Sequence, residues 1–435
     1  MDWPRKSPEI HHQDRKVFQY GALSSTIVKL YMNGTEQTKW EVNCSEQVLG
    51  WVEKELPDGN LLEGETIIIL AGRAEDKYRG GAHNPALLRY LPFCEDSFDI
   101  IARRFYVHGS IVRTVNRGQP LFSRTPIKLG DPPEPAIVYN CRTSHEWPGD
   151  LALSMTFFPS RRLTYGVLYG CDTKMKEAIL ARLHNSEGAA CHHLLLIGIF
   201  AELERKRQLG LVQNALSTLH DTIIDLSKPV DDWEMTAVHG HSSATNAVDP
   251  WLDVYDLKNG LESWKEQLGK IVSHIDEISE TWLNPLASDL DEKKAEKRQL
   301  GEVGERIRER MLEIVSDYDT KIRECDKIME GMNLATQLAH ARANIEIAAS
   351  VKTDSSQMKS IALVTMIFLP ATFLASLFSM TFFDWNSTKS ESKVSPEIWI
   401  YFVIATGLTL IVIGLWFKIM QRAHQKERVV ASSAV

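Results

Sequence analysis

The apolar positions of this 435-residue chain follow three different spacings. Residues 361–383 read IALVTMIFLPATFLASLFSMTFF and residues 398–417 read IWIYFVIATGLTLIVIGLWF. Neither run holds an Asp, Glu, Lys or Arg. Each exceeds the roughly 18 apolar residues that separate a membrane-spanning helix from a buried core helix. Only 14 residues lie between them, which predicts a transmembrane hairpin rather than a soluble helical hairpin.

A second spacing alternates steps of three and four. It runs through Val254, Leu257, Leu261, Trp264, Leu268, Ile271, Ile275, Ile278 and Trp282. It resumes at Ile307, Met311, Ile314, Tyr318, Ile322, Cys325, Met329, Met332, Thr336, Ala339 and Ala343. Such a seam predicts two helices with coiled-coil-like packing, parted by Asn284-Pro285. No proline follows until Pro370, so the second helix is expected to run without a break into the first apolar run. At 1.5 Å per residue, residues 290–383 would reach ~140 Å, and a helix of that length must pack laterally on its neighbour or on copies of itself.

The third spacing is short. Runs rich in β-branched and aromatic residues at 26–31, 66–70, 136–141, 151–158 and 163–171 predict strands. Helical patterns occupy 45–56, 97–106, 174–183 and 192–226. Strands followed by helices indicate an α+β domain. Residues 228–250 have no apolar period and read as a surface loop. The predicted parts are an α/β domain over 1–230, a loop over 231–250, and a coiled helix over 251–288. A stalk helix follows over 289–360, then membrane helices over 361–383 and 398–420, an outer loop over 384–397 and a tail over 421–435.

Charge orients the hairpin. Lys352, Lys359, Lys418, Arg422, Lys426 and Arg428 flank the two runs, while the connecting loop has only Lys389 and Lys393. The positive-inside rule then puts both termini in the cytosol. Phe382, Phe383, Trp385, Trp399, Tyr401, Phe402, Trp416 and Phe417 sit at the ends of the runs, where aromatic rings collect at membrane–water interfaces. The loop carries a net −1 and the sequon Asn386-Ser-Thr388, too near the bilayer to expect modification. Sequons at Asn33 and Asn43 fall in the cytosolic part.

Composition alone hides this division. The mean hydropathy is −0.20, and 49 basic against 57 acidic residues give a net charge of −8. Most of that acidity lies before residue 290, while residues 290–360 nearly cancel with 13 basic and 14 acidic groups. An acidic chain is a poor candidate for nucleic-acid binding. Residues 1–16 resemble neither a signal nor a transit peptide. Cys44, Cys94, Cys141, Cys171, Cys191 and Cys325 form no CxxC pair and read as reduced structural thiols. The pairs His192-His193 and His239-Gly-His241 lack further ligands at metal spacing. No phosphate-binding glycine loop or nucleophile elbow is present, so no enzyme is expected.

One feature of the first apolar run points to chemistry. At about 100° per residue, Met358, Ile361, Thr365, Leu369, Thr372, Ser376 and Ser379 fall within about 60° of one direction. Every Ser and Thr from 361 to 379 is on this stripe. It reads either as a wet pathway between subunits or as close helix packing through small residues. Two spans cannot enclose a pore, so a pathway requires a ring of identical subunits.

Met358-Lys359, Ile367-Phe368-Leu369-Pro370 and residues 372–381 (TFLASLFSMT) resemble the first transmembrane segment of the CorA-type magnesium transporters. The order of parts matches too, and the first 200 residues resemble a divergent fungal branch. The resemblance implies a homopentamer that passes Mg²⁺ or another divalent cation down its electrochemical gradient, with no cofactor and with lipid as surroundings. Met358, Ile361 and Leu369 would be hydrophobic constrictions and Thr372 a ring of hydroxyls. Asn344 falls where some relatives place a carboxylate. The filter position is Ser379-Met380-Thr381, where the family has Gly-Met-Asn. Gly331-Met332-Asn333 repeats those letters within the seam by chance. With the filter altered, a non-conducting, membrane-anchored regulatory or interaction protein is the alternative.

Overall fold

The computed structural model describes residues 10, 12–21, 23–31, 37–42, 45–56, 63–73, 87–186, 192–227, 248–283, 291–379 and 398–433. Cys44, Cys191, the His239/His241 pair, the three sequons, most of the 228–250 loop, the outer loop, and Met380 and Thr381 lie outside them. The chain divides into two compact units, residues 1–335 and 336–435.

The first unit opens with α1 (His12–Arg15), β1 (Gln19–Tyr20), β2 (Ser25–Tyr31), β3 (Gln37–Val42), α2 (Ser45–Glu55), β4 (Glu65–Gly72) and β5 (Tyr90–Leu91). It continues with α3 (Glu95–Arg104), α4 (Ile111–Asn116), β6 (Leu121–Leu129), β7 (Glu134–Arg142), β8 (Ala152–Phe158) and β9 (Leu163–Cys171). The helices α5 (Thr173–His184), α6 (Leu195–Ser227), α7 (Val248–Leu283) and α8 (Asp291–Phe378) follow. Seven strands make one sheet in the order β3-β2-β4-β9-β8-β7-β6, and β1 pairs with β5. Within the large sheet only β4 and β9 run parallel. This is the α+β domain that the spacing predicts.

Strand alternation sorts the core into two layers. Ile67, Ile69 and Ala71 of β4 face α2, α3 and α4, and Ile68 and Leu70 face α5, α6, α7 and the first part of α8. Both faces are buried, so the central strands read as unbroken apolar runs. Gly166 of β9 marks a close approach of sheet and helix: a Cβ there would lie 2.9 Å from Leu196 of α6. The seam of α7 from Val254 to Ile275 is buried throughout. On α8, Met311, Ile314, Tyr318, Cys325 and Met332 are buried with it. Ion pairs stitch the bundle: Arg205 of α6 to Asp317, and Lys258 and Lys265 of α7 to Asp326 and Asp319.

Two strands that the spacing does not predict, β3 and β6, are the two edges of the sheet. An edge strand exposes one side, so its sequence is polar at alternate positions, and Pro126 is tolerated there because the outer ladder needs no donor. The His192-His193 pair is core. His193 stacks on Phe157 at 4.2 Å and on His192 at 4.9 Å. Burial pushes His192 down to about 4, so the imidazole is neutral. Cys94, Cys141, Cys171 and Cys325 form no disulfide, and the last three are buried.

The second unit holds the rest of α8 and α9 (Ile398–Ser433). Their apolar stretches are long enough to cross a membrane, and only 11% and 6% of them is buried. A core helix of a soluble protein would be mostly covered. Apolar length combined with apolar exposure marks an integral membrane protein.

Candidate functional site

The stripe lies on α8, a single helix of 88 residues. Met358, Ile361, Thr365, Leu369, Thr372 and Ser376 are all helical and exposed, with Met358, Ile361 and Leu369 each about two-thirds open. Ser379 follows the last helical residue and still donates its N–H to the Ala375 carbonyl at 3.1 Å. Asn344 lies further down the same helix and is exposed. By helical angle it sits about 60° from the centre of the stripe. Six of the eight lining residues expected from the sequence therefore form one helical face, with Ser379 at its end and Asn344 at its margin. Met380 and Thr381, which complete the filter position, lie outside the described residues.

What α8 buries against α9 is a different face. Pro370 and Leu374 are buried and Met366 is half-buried, and on α9 Ala405 is buried as well. Tyr401 of α9 donates its hydroxyl to the Ala371 carbonyl at 2.9 Å. Pro370 has no N–H and so leaves the Met366 carbonyl without its helical donor. In a bilayer such a break is tolerated where a neighbouring helix covers it. The centre of this packed face lies about 140° around the helix from the stripe. Close packing within the hairpin therefore does not account for the hydroxyls.

The hydroxyls themselves are turned back. Thr365 donates to the Ile361 carbonyl at 2.9 Å, and Thr372 to those of Phe368 and Leu369 at 3.1 and 3.0 Å. Ser379 donates to the Ser376 carbonyl at 3.1 Å. Each of these side chains spends its one proton on the backbone, and its lone pairs remain as acceptors. The stripe thus presents oxygen acceptors between thioether and aliphatic side chains, with no formal charge from 361 to 379. Among the described residues no group of three or more His, Cys, Asp or Glu side chains is placed to hold a metal.

The sequence reasoning missed the face that pins the hairpin. Its signals are present as Pro370 and Tyr401, but Pro370 reads as a motif letter and Tyr401 as an interface aromatic until the two helices are placed side by side.

No model of a known protein family matches the chain. A stretch of 67 residues is 30% identical to Notoamide biosynthesis cluster protein M' of Aspergillus versicolor. That stretch is 15% of this chain and covers 15% of that relative's length. Two solved structures align over most of the chain. The full-length CmaX protein matches with a TM-score of 0.37 and 11% identity, over 92% of this chain and 98% of its own. The CorA magnesium transporter of Methanocaldococcus jannaschii matches with a TM-score of 0.37 and 12% identity, over 91% and 97%.

Proposed function

We propose that the chain is a CorA-like channel or transporter that passes Mg²⁺ or another divalent cation down its electrochemical gradient, through a pore lined by the stripe of α8. The observation that carries this reading is the set of turned-back hydroxyls on a face that α9 leaves open. Water bound to a divalent cation points its hydrogens outward. A wall of oxygen acceptors whose own protons are tied down is complementary to that shell, and Mg²⁺ gives up its water reluctantly. Met358, Ile361 and Leu369 would supply dry constrictions that open by wetting. Thr365, Thr372 and Ser376 would supply hydroxyl rings, with Ser379, Met380 and Thr381 at the filter and Asn344 lower on the same helix.

One chain has two spans, so the pore must be shared, and the resemblance in the first span supports five copies. The excess of basic residues outside the loop supports cytosolic termini. The test is flux. Purified protein in liposomes that enclose a Mg²⁺-sensitive dye should admit Mg²⁺ in proportion to the gradient. A folded oligomer that admits no divalent cation under a full gradient would refute conduction. If the double variant Ser379→Gly with Thr381→Asn then creates uptake, the chain is a non-conducting relative whose filter has been lost.

A further inference from the structure

The proline break in α8 falls inside the stripe. Pro370 stands between the stripe residues Leu369 and Thr372. A helix is softest where proline removes a backbone bond and crowds the preceding turn. Beyond it the described part of α8 and its end span residues 371–379. A swing of about 20° at the break, where proline kinks begin, would carry Ser379 about 5 Å sideways over that length. The upper stripe is therefore placed by whatever holds this short segment.

Two side-chain hydroxyls bracket the break. Thr372, above it, donates to the carbonyls of Phe368 and Leu369, below it, at 3.1 and 3.0 Å. Tyr401 of α9 donates to the Ala371 carbonyl, directly above it, at 2.9 Å. Ala371 and Tyr401 are half-buried, and Leu374 one turn on is buried. Ala371 and Thr372 point about 100° apart around the helix, so the two sets of bonds hold it from different sides. The Thr372 bonds span the break, whereas the Tyr401 bond fixes the upper segment to a second helix.

The Thr372 bonds need the break to stay aligned, because their donor and their acceptors lie on opposite sides of it. Hydrogen bonds weaken steeply as distance and angle are lost, so a swing at Pro370 would release the Thr372 proton. A released hydroxyl presents a donor as well as acceptors. A donor set against the outward hydrogens of a hydrated cation is mismatched to them.

We infer that Tyr401 is a positioning residue for the stripe. Its bond to Ala371 holds the segment above Pro370 in line, and so keeps the Thr372 hydroxyl turned back as an acceptor. Its effect on flux rests on the pore reading proposed above; its effect on the helix does not.

A double-variant cycle on the full chain tests this role. Pro370→Ala restores the N–H that the Met366 carbonyl lacks and removes the need for a pin. Tyr401→Phe removes only a hydroxyl. Hydrogen–deuterium exchange of residues 371–379 in detergent and Mg²⁺ influx into liposomes are read in the parent, both single variants and the double variant. Tyr401→Phe should speed exchange in 371–379 and lower influx about fivefold, the factor that one hydrogen bond is worth. In the Pro370→Ala background the same change should alter each by about twofold at most. An equal loss in both backgrounds would make Tyr401 a packing residue and overturn the positioning role. So would exchange in 371–379 that Tyr401→Phe leaves unaltered. If the parent chain admits no Mg²⁺, conduction itself fails, and the exchange cycle alone decides whether Tyr401 pins the segment.

Discussion

Helix α7 and the last third of α8 carry the same spacing with opposite meaning. On α7 the stripe from Val254 to Ile275 is apolar on a helix whose other faces are charged, and the chain covers it completely. On α8 the stripe from Met358 to Ser379 carries the hydroxyls, on a helix whose other faces are apolar, and the chain leaves it open. In water the apolar stripe is the one that must be hidden. In a bilayer lipid satisfies the apolar faces, and the polar stripe is the one that needs company. Periodicity locates a stripe, and the chemistry of the remaining surface says what will cover it.

The largest effect that would break this contrast is in α7. Trp264 is fully buried, and Trp264→Ala should cost about 3–5 kcal/mol, measured by urea unfolding of the first unit. A loss below 1 kcal/mol would mean that the covered stripe does not hold the bundle together.

Acid should act on the first unit next. Arg124 of β6 donates to Nδ1 of His274 at 2.8 Å, so Nε2 carries the proton, 2.9 Å from the Tyr139 hydroxyl. Burial, with the Arg124 charge beside it, pushes His274 down to about 4, and Glu277 opposes that only in part. His192 falls to about 4 by burial alone. The unfolded chain takes up these protons near pH 6.5 and the folded chain only near 4, so stability is full above 6.5 and declines as pH falls to 4. Each histidine contributes about 3 kcal/mol across that window. His274→Gln, followed by urea unfolding at stepped pH, should flatten the slope. An unchanged slope would remove His274 from the account.

The open stripe should respond differently. Thr372→Val removes one hydroxyl per copy and keeps the shape, so it should lower Mg²⁺ flux about tenfold, or 1.4 kcal/mol of barrier. Unfolding should not change, because no packed contact is lost. A drop in stability with flux intact would return the stripe to a packing role. The smallest expected effect is at the hairpin seam, where Tyr401→Phe removes the bond to the Ala371 carbonyl at a cost of about 1 kcal/mol, read as a lower thermal midpoint in detergent.

The contrast also explains which parts were legible in the sequence. Both stripes are local in register, and a helix repeats every 3.6 residues whatever covers it. Five central strands were legible because burial on both faces leaves few polar residues in them. The edges β3 and β6 escaped because Lys39, Glu41, Arg124 and Lys128 break their apolar pattern. The pairing of Arg15 with Asp99 was not legible at all. It spans 84 residues of chain, and nothing local ties the two. The hairpin face needed both of its helices, since Pro370 gains its meaning from Tyr401, which bonds the neighbouring Ala371 carbonyl.

The polar edges that hid β3 and β6 from the pattern have a further effect. A sheet with bare edges invites another copy to add its own strand and extend the ladder. Here one edge carries Lys39 and Glu41 and the other is interrupted by Pro126 between Arg124 and Lys128. Neither edge is suited to recruiting a partner strand. Strand addition at either edge is therefore disfavoured, and the sheets are guarded against growing into a fibre.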